Sequence, residues 1–388
     1  MRDVAVIGIG LTKFGELWDR SFRELGIEAG LEAIEDSGIA GKDIGALYIG
    51  NMSAGRLIAQ EHIAPMVSEQ VGLTLGNIPA TRVEAASASG GLAFRQGFID
   101  VASGLHDIVV VGGAEKMSDV GPEVITETLA SGADQEWEAF FGATIPSLFA
   151  MMARRHMVEF GTTVEQLAAV AVKNHKHGSL NPKAQFQGEI NMDVALKAPF
   201  VAEPLRMFDC APVSDGAAAV VLCALERAKD YTNQPIKISG TGQATDTFAL
   251  HDRKSLTTMA ATKAAAARAF KMAGKKPGDI DVIEVHDSYT IAEIMAIEDL
   301  GIVDKGKGGP AVEEGLTALE GEFPVNTSGG LKARGHPHGA TGVAQVVEIV
   351  AQLKGIADKR QVKDAKVGLT HNIGGTGGTA VVHILEAV

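Results

Sequence analysis

The chain has 388 residues, 46% of them hydrophobic, with 46 glycines, enough for two or three domain-sized units around a large core and suited to an α/β enzyme rich in tight turns. Its formal net charge of −13 argues against nucleic acid or an anionic membrane as partner, because both require a basic surface. Only two cysteines occur, Cys210 and Cys223, which excludes a disulfide framework and a cysteine-rich zinc site.

In chain order, Val4–Gly10 reads as a buried strand with no signal-type cleavage pattern, so a soluble cytoplasmic protein is expected. Gly8-Ile9-Gly10 lacks the third glycine and the following helix of a dinucleotide fingerprint, so no Rossmann cofactor is expected. Asp43–Ile49 predicts a second strand. Glu84-Ala85-Ala86-Ser87-Ala88-Ser89-Gly90-Gly91 places small residues at the start of a helix, where free N–H groups and the helix dipole favour an anion. From Lys116 to Pro235 two helical stretches, Ile145–Phe160 and Thr163–His175, lie among loops rich in Asn, Pro, Gly and Gln. Loops this long in a compact enzyme are usually functional, so a substrate-covering insertion is expected. On it, His175 and His177 read as solvated, Met151, Met152 and Met157 as core residues of one helix, and Cys210 as structural. The apolar run Ala217–Leu225 is far too short to span a bilayer. Ser255–Ala273 has the apolar period of a helix. Gly335-His336-Pro337-His338-Gly339-Ala340-Thr341-Gly342 then holds an imidazole on a rigid turn before an amphipathic segment, Val343–Leu353, that stops at Gly355. Proline fixes φ there, and the glycines permit close backbone approach.

The chain also repeats itself. Val4–Gly10 matches Ile236–Gly242, and Asp43–Ile49 matches Asp279–Val285. Ser89-Gly90-Gly91-Leu92 returns as Ser328-Gly329-Gly330-Leu331, the following helices stop at Gly104 and Gly355, and Val111-Gly112-Gly113 returns as Ile373-Gly374-Gly375. The separations rise steadily along the chain, as a duplication with a few insertions requires. Each half reads as an α/β layered unit. The expected organisation is an N-terminal half over 1–115 plus 200–230, an insertion over 116–199, and a C-terminal half over 231–388.

The doubled pattern, the Ser-Gly-Gly pairs, Gly-His-Pro and the terminal Asn372-Ile373-Gly374-Gly375-Thr376-Gly377-Gly378 resemble the thiolase superfamily over the whole chain. Val285-His286-Asp287-Ser288-Tyr289-Thr290 and Asp209–Ala219 resemble the sterol-carrier-protein-2-type and archaeal acetyl-CoA acetyltransferases within it. The resemblance implies a thiolase fold: two duplicated α/β halves in five layers, α-β-α-β-α, with a loop and helix insertion. It places Ser87 where the family carries its nucleophilic cysteine. His336 becomes the group that deprotonates the nucleophile and hydrogen-bonds the thioester oxygen. His286 falls in an oxyanion hole, and Gly375 and Gly377 with the Ser87 N–H in a second. Ser288 stands where this subgroup often has its second catalytic cysteine, and Asn372 where conventional thiolases have theirs. Tyr289 and His371 are further candidates for the site. His338 is read as a turn residue, because the family pattern varies there.

The activity implied is condensation of two acetyl-CoA molecules to acetoacetyl-CoA and CoA, or its reverse, an entry into lipid metabolism and the mevalonate pathway. The coenzyme A thioester is substrate, with no cofactor and no metal. Serine at both thiol positions has two explanations: replacement of the cysteines in an inactivated form, which is favoured, or natural residues with an altered activity. A retro-aldol lyase acting on a β-hydroxyacyl-CoA is the alternative, with Tyr289 as acid or base. A non-catalytic scaffold in an assembly with hydroxymethylglutaryl-CoA synthase, bridged by a zinc-ribbon/OB-fold protein, is a third reading. A homodimer or homotetramer is expected.

Overall fold

The computed structural model describes residues 1–388, the side chains of Thr74 and Leu75 excepted. Nine strands form its main sheet: β1 (Val4–Leu11), β2 (Ala46–Gly50), β3 (Ala80–Val83), β4 (Ile108–Glu115), β5 (Gly216–Ala224), β6 (Ile236–Thr245), β7 (Val282–Glu284), β8 (Val367–Gly374) and β9 (Thr379–Ala387). The helices that build its cores and site are α1 (Phe22–Ser37), α2 (Ile63–Gln70), α3 (Ser89–Ser103), α4 (Pro122–Ala130), α5 (Ile145–Phe160), α6 (Val164–Ser179), α7 (Ala260–Ala273), α8 (Thr290–Asp299), α9 (Gly330–Arg334) and α10 (His338–Lys354).

The strand order is β3-β2-β4-β5-β1-β6-β9-β8-β7, and the pairing scheme repeats on either side of the β1–β6 seam. On one side β1, β5 and β4 pair antiparallel, then β2 and β3 add in parallel. On the other β6, β9 and β8 pair antiparallel and β7 adds in parallel, with Val325 bridged to Ile283 in the place of β3. The seam is short, joining Ala5 to Lys237 and Val6 to Ile236.

Strand alternation divides the buried side chains among three cores. Ala5, Ile7, Val110 and Val221 face α1 and α2 on one outside. Val4, Val6, Val109 and Val220 face inward, where Phe94 and Phe98 of α3 and Val343 and Val346 of α10 meet Ile236, Ile238 and Leu385 of the second half. Val382, Ile384 and Leu369 face α7 and α8 on the other outside. Helices outside, a half-sheet, two shared helices, a half-sheet and helices again make the five layers that the resemblance implied.

The repeated Gly-x-Gly of the first strand in each half has a packing cause. A Cβ on Gly8 or Gly10 would run into the carbonyl oxygens of Ala33 and Ala29 on α1. A Cβ on Gly240 or Gly242 would meet those of Ala269 and Ala265 on α7. In both halves the strand therefore lies against the helix backbone itself.

Three sequence expectations change. Ser328-Gly329-Gly330 opens the five-residue α9, not the counterpart of α3. Gly335 (φ 114°) and Pro337 end that helix, and α10 starts at His338. The segment Val343–Leu353 is buried on every side; its polar residues are covered by protein, with Gln345 donating to the His371 carbonyl and Glu348 paired with Arg360. Ser255–Met259 lies outside α7, which begins at Ala260.

The region between β4 and β5 is packed against the second half. Leu148, Phe149 and Met152 of α5 and Leu167 and Val170 of α6 belong to the second outer core. Met151, expected in that core, is half exposed on the opposite side of α5. In the second half the matching connection, β8 to β9, is only the turn 375–378. Among the described residues no helix is long and apolar enough to cross a membrane.

Gly242→Ala should lower stability by about 1–3 kcal/mol, the usual range for overpacking, because the opposing Ala265 oxygen is backbone and cannot rotate away. Gly41→Ala, whose Cβ meets open space, is the control. A thermal melt in which both variants match the parent chain contradicts this packing.

Candidate active site

The N-terminal turns of α3 and α10 cross at glycines. A Cβ on Gly90 would lie 2.6 Å from the Gly339 oxygen, and one on Gly342 would strike the Gly91 nitrogen. The two positive helix ends therefore come together, and the cleft opens in front of them. Its enclosed space is narrow, about 70 Å³.

Ser87 stands two residues ahead of α3, after Ala86, whose φ of 49° is left-handed. A side chain in that region costs about 1–2 kcal/mol, and it is tolerated where the surroundings enforce it. Here Ser89 holds the turn, its hydroxyl accepting from the Ala85 N–H at 2.9 Å and donating to the Ala86 oxygen at 2.6 Å. The Ser87 hydroxyl donates to the Ile373 carbonyl at 2.9 Å.

His336 lies on the turn between α9 and α10. Its backbone N–H donates to the Ser214 hydroxyl at 2.9 Å, so the turn is tied down without the imidazole. Nδ1 is 2.7 Å from the Thr341 hydroxyl, which is 3.0 Å from the Pro337 oxygen. That carbonyl can only accept. Both bonds are met when Nδ1–H donates to Thr341 and Thr341 donates onward, which leaves a lone pair on His336 Nε2.

His286 follows β7, its ring 4.9 Å from that of His336 and nearly perpendicular. Nδ1 is 2.8 Å from the Asn372 amide nitrogen, while Nε2 is buried with no partner among the described residues. Burial holds both imidazoles well below the usual pKa of 6.5, helped by the neighbouring histidines and Arg334. Ser288 and Tyr289 line the same cleft as Ser87 and His336. Neither side-chain hydroxyl has a hydrogen bond among the described residues, and the Tyr289 ring stacks on Phe149 at 4.5 Å. Burial raises the Tyr289 phenol well above 10.

Gly375 borders the cleft, and its N–H has no acceptor among the described residues. Arg253 clamps the adjoining turn by donating to the Thr376 carbonyl at 2.6 Å and hydroxyl at 3.0 Å. Gly377 departs from expectation: its N–H donates to the Gly374 carbonyl at 3.0 Å, and its Cα faces Met259 and Arg253. His371 also points elsewhere. Its Nε2 lies 2.9 Å from the Thr262 hydroxyl of α7, on the outer face of β8. His175 and His177, expected in solvent, are buried, and bond the carbonyls of Gly188 and Asn326.

His338 was missed as a site residue. As the first residue of α10 it lines the cleft, its ring 4.1 Å from that of His336 and its Nδ1 3.2 Å from the Met117 sulfur. Its spacing of two from His336 was the available signal, since a turn that reverses between the two positions leaves both rings on one side. Glu115 carried no signal. It ends β4 buried, accepting from the backbone of Met52, Ser53 and Gly339, and so ties α10 to the first half. Among the described residues no group of His, Cys, Asp and Glu is arranged to hold a metal.

An α/β enzyme of two like halves, with its cleft where their two inner helices start, is the class this architecture defines. Residues 4–226 match the model of the thiolase N-terminal domain, and residues 242–387 that of the thiolase C-terminal domain-like family. The acetyl-CoA acetyltransferase of Methanothermobacter thermautotrophicus is 59% identical over 386 residues, spanning 100% of both chains. Sterol carrier protein 2 of Bos taurus is 35% identical over 397 residues, covering 99% of this chain and 72% of that protein. A solved structure named Ltp2-ChsH2(DUF35) aldolase superposes with a TM-score of 0.85 at 27% identity, over 99% of this chain and 98% of that one. The chain belongs to the thiolase family and is an enzyme of that family.

Seven imidazoles, those of His175, His177, His286, His336, His338, His371 and His383, are held below 6.5 by burial. As pH falls through about 6.5, the unfolded chain takes up protons that the folded chain refuses, so this part of the stability is lost. Five buried carboxyls act the other way: Glu115, pushed up to about 7, and Glu284, Asp287, Asp209 and Asp299, also raised. The imidazoles outnumber them, so the melting temperature should fall between pH 7 and pH 5. A rise over that interval would contradict the neutral imidazoles.

Proposed function

We propose that this chain is a thiolase-type acyltransferase acting on acetyl-CoA, joining two molecules into acetoacetyl-CoA and CoA or running the reverse. In this reading Ser87 and Ser288 occupy the positions of two catalytic cysteines, and the chain as written is an almost inactive form. The observation that carries it is the pairing of His336 and His286. His336 presents a lone pair to the cleft that holds Ser87, and His286, its ring 4.9 Å behind, carries a buried nitrogen with no partner among the described residues. The acetyl-CoA acetyltransferase relatives at 59% and 52% identity support the substrate.

The nucleophile at position 87 attacks the thioester carbon of the first acyl-CoA, with His336 Nε2 taking its proton. The Ser87 and Gly375 N–H groups hold the oxygen as it gains charge. CoA leaves as a thiol, taking that proton back from His336. A second acetyl-CoA then loses a Cα proton to the group at position 288, while its thioester oxygen rests on the Nε2–H of His286. The resulting carbanion attacks the acyl-enzyme carbonyl, and residue 87 leaves, regaining a proton from the group at position 288. Each oxygen bears charge only during reaction, which is where fixed donors act most strongly. A hydroxyl is a poor substitute at both steps. A thiol ionises near pH ~8.5, lower at a helix N-terminus, whereas serine needs its base to do far more.

A second reading has one observation in its favour. The Tyr289 phenol lines the cleft without a hydrogen bond, and the solved neighbour is named an aldolase. Its raised pKa suits a proton donor in retro-aldol cleavage of a β-hydroxyacyl-CoA. That neighbour's name also joins it to a DUF35 chain, which supports a protein partner here as well.

The chain as written should cleave acetoacetyl-CoA several orders of magnitude more slowly than its Ser87→Cys/Ser288→Cys variant, each ~1.4 kcal/mol of barrier being tenfold. Ser87→Cys alone should give an acetyl-enzyme, seen by intact mass, that condenses poorly; Ser288→Cys alone should give none. A double variant that acylates yet does not condense removes position 288 from the proton transfer. Cleavage of β-hydroxyacyl-CoA by the parent chain would favour the lyase.

In the double-cysteine protein, His336→Ala should lower kcat by about 10²–10⁴, the range for a general base, with little change in melting temperature. A large fall in melting temperature would assign His336 to structure instead.

A further inference from the structure

We infer that Asn372 is the positioning residue that holds His286 in the tautomer with its proton on Nε2, making that ring a hydrogen-bond donor to the cleft. The use of the donor rests on the function proposed above; the tautomer does not.

The surroundings of the Asn372 amide fix its orientation. The Gly91 backbone N–H lies 3.2 Å from Oδ1 and can only donate, so the oxygen faces it. Nδ2 then lies 3.2 Å from the Ser87 carbonyl and 2.8 Å from His286 Nδ1. The NH₂ group has two protons and no lone pair to offer, and the Ser87 carbonyl can only accept. One proton goes to each neighbour, and His286 Nδ1 must be the nitrogen with the lone pair. Burial keeps the ring neutral, so its single proton sits on Nε2. That nitrogen is buried without a partner among the described residues. Buried polar groups are nearly always bonded, and an exception calls for an explanation. A ligand oxygen in the cleft is the partner that completes it.

The amide itself is gripped from both inner helices. A Cβ on Gly91 would lie 2.8 Å from Asn372 Oδ1, and one on Gly342 would strike the same atom. Asn372 thus joins the first residues of α3, the carbonyl of Ser87 and the imidazole of His286 through one rigid group. A thiol here could not donate twice and accept once with this geometry. The position that the resemblance assigned to a catalytic cysteine in conventional thiolases is used here to orient a histidine.

The test is the tautomer itself. In the parent chain carrying ¹⁵N-labelled histidine, long-range ¹H–¹⁵N spectra at pH 7 should show His286 protonated on Nε2, its signals identified by their loss in His286→Gln. Asn372→Asp should move the proton to Nδ1, since a carboxylate only accepts. Asn372→Ala, which removes the group without reversing it, should give a mixture of both forms and serves if the Asp variant does not fold. His336 should keep its own pattern throughout. A parent ring protonated on Nδ1 overturns the inference, and so does a His286 pattern unchanged in whichever variants fold. In the Ser87→Cys/Ser288→Cys protein, Asn372→Asp should lower kcat about 10²-fold, as loss of one oxyanion donor does, with less change in KM. If that protein is inactive while the spectra behave as described, the function proposed above fails and the positioning role stands.

Discussion

Helices α3 and α10 cross at their first turns, and they do so through glycine. Packed helices usually keep their axes about 8–10 Å apart, a distance set by the side chains between them. At this crossing there are none. Gly90 and Gly91 of one helix lie on Gly339 and Gly342 of the other, and Gly113 of β4 closes on the Gly339 oxygen. A Cβ on Gly90, Gly113, Gly339 or Gly342 would meet backbone, which cannot move aside, and one on Gly91 would meet the Asn372 amide. The crossing fixes the distance between the Ser87 turn and the His336 turn, because each leads directly into one of the two helices. Outward from it, the same half-sheets and outer helices are built twice, and the Gly-x-Gly strands bring those outer helices close in turn.

That crossing also sets the electrostatics of the cleft. Two helix N-termini face one volume, each equivalent to roughly half a positive charge. The imidazoles around it are neutral, held so by burial. The cleft is thus attractive to negative charge without holding an ion that would need a counter-ion. Oxygen that acquires charge there meets N–H groups already in place, which is the condition under which such groups contribute most. The arrangement needs a dry interior. The inner core around α3 and α10 supplies it, and Leu129 of α4, Gly132, Ile145 of α5 and the Ala211–Val213 segment line the rest of the cleft.

Much of this was legible in sequence because backbone constraint and strict periodicity leave marks. The duplicated Gly-x-Gly strands, the nine apolar residues of β5 and the Gly-His-Pro turn each have one local cause, and each stood in the letters. What was not legible depends on which direction a side chain takes in three dimensions. His371 and Asn372 are neighbours on β8, so they must face opposite ways; nothing local says that Asn372 takes the inner side. His175 and His177 sit among polar residues on α6, yet Phe186, Phe208 and the Gly188 carbonyl cover the first and the Asn326 carbonyl ahead of α9 meets the second. Gly375 and Gly377 look alike in a glycine-rich turn, and a single hydrogen bond to Gly374 separates a free N–H from an occupied one. The Ser-Gly-Gly repeat misled for another reason, because short motifs of turn residues recur wherever a chain must start a helix.

The mismatch of that repeat carries its own information. Ser89 to Ser328 is a shift of 239, while the ends of the inner helices, Gly104 and Gly355, are 251 apart. The difference is the short helix α9 and its turn, residues the second half has and the first half lacks. Measured from the helix starts, Ser89 and His338, the position matching Ser87 is His336; measured from the helix ends it is His338. Helix boundaries are uncertain by one or two residues, so Ser87 and the His336–His338 pair occupy equivalent places ahead of equivalent helices. The duplication has therefore placed a hydroxyl and an imidazole pair at related positions on either side of one crossing. The extra residues of α9 bring the second half's turn across to face the first. A single fold unit, used twice and offset by one short insertion, is enough to bring a candidate nucleophile and its candidate base into one cleft.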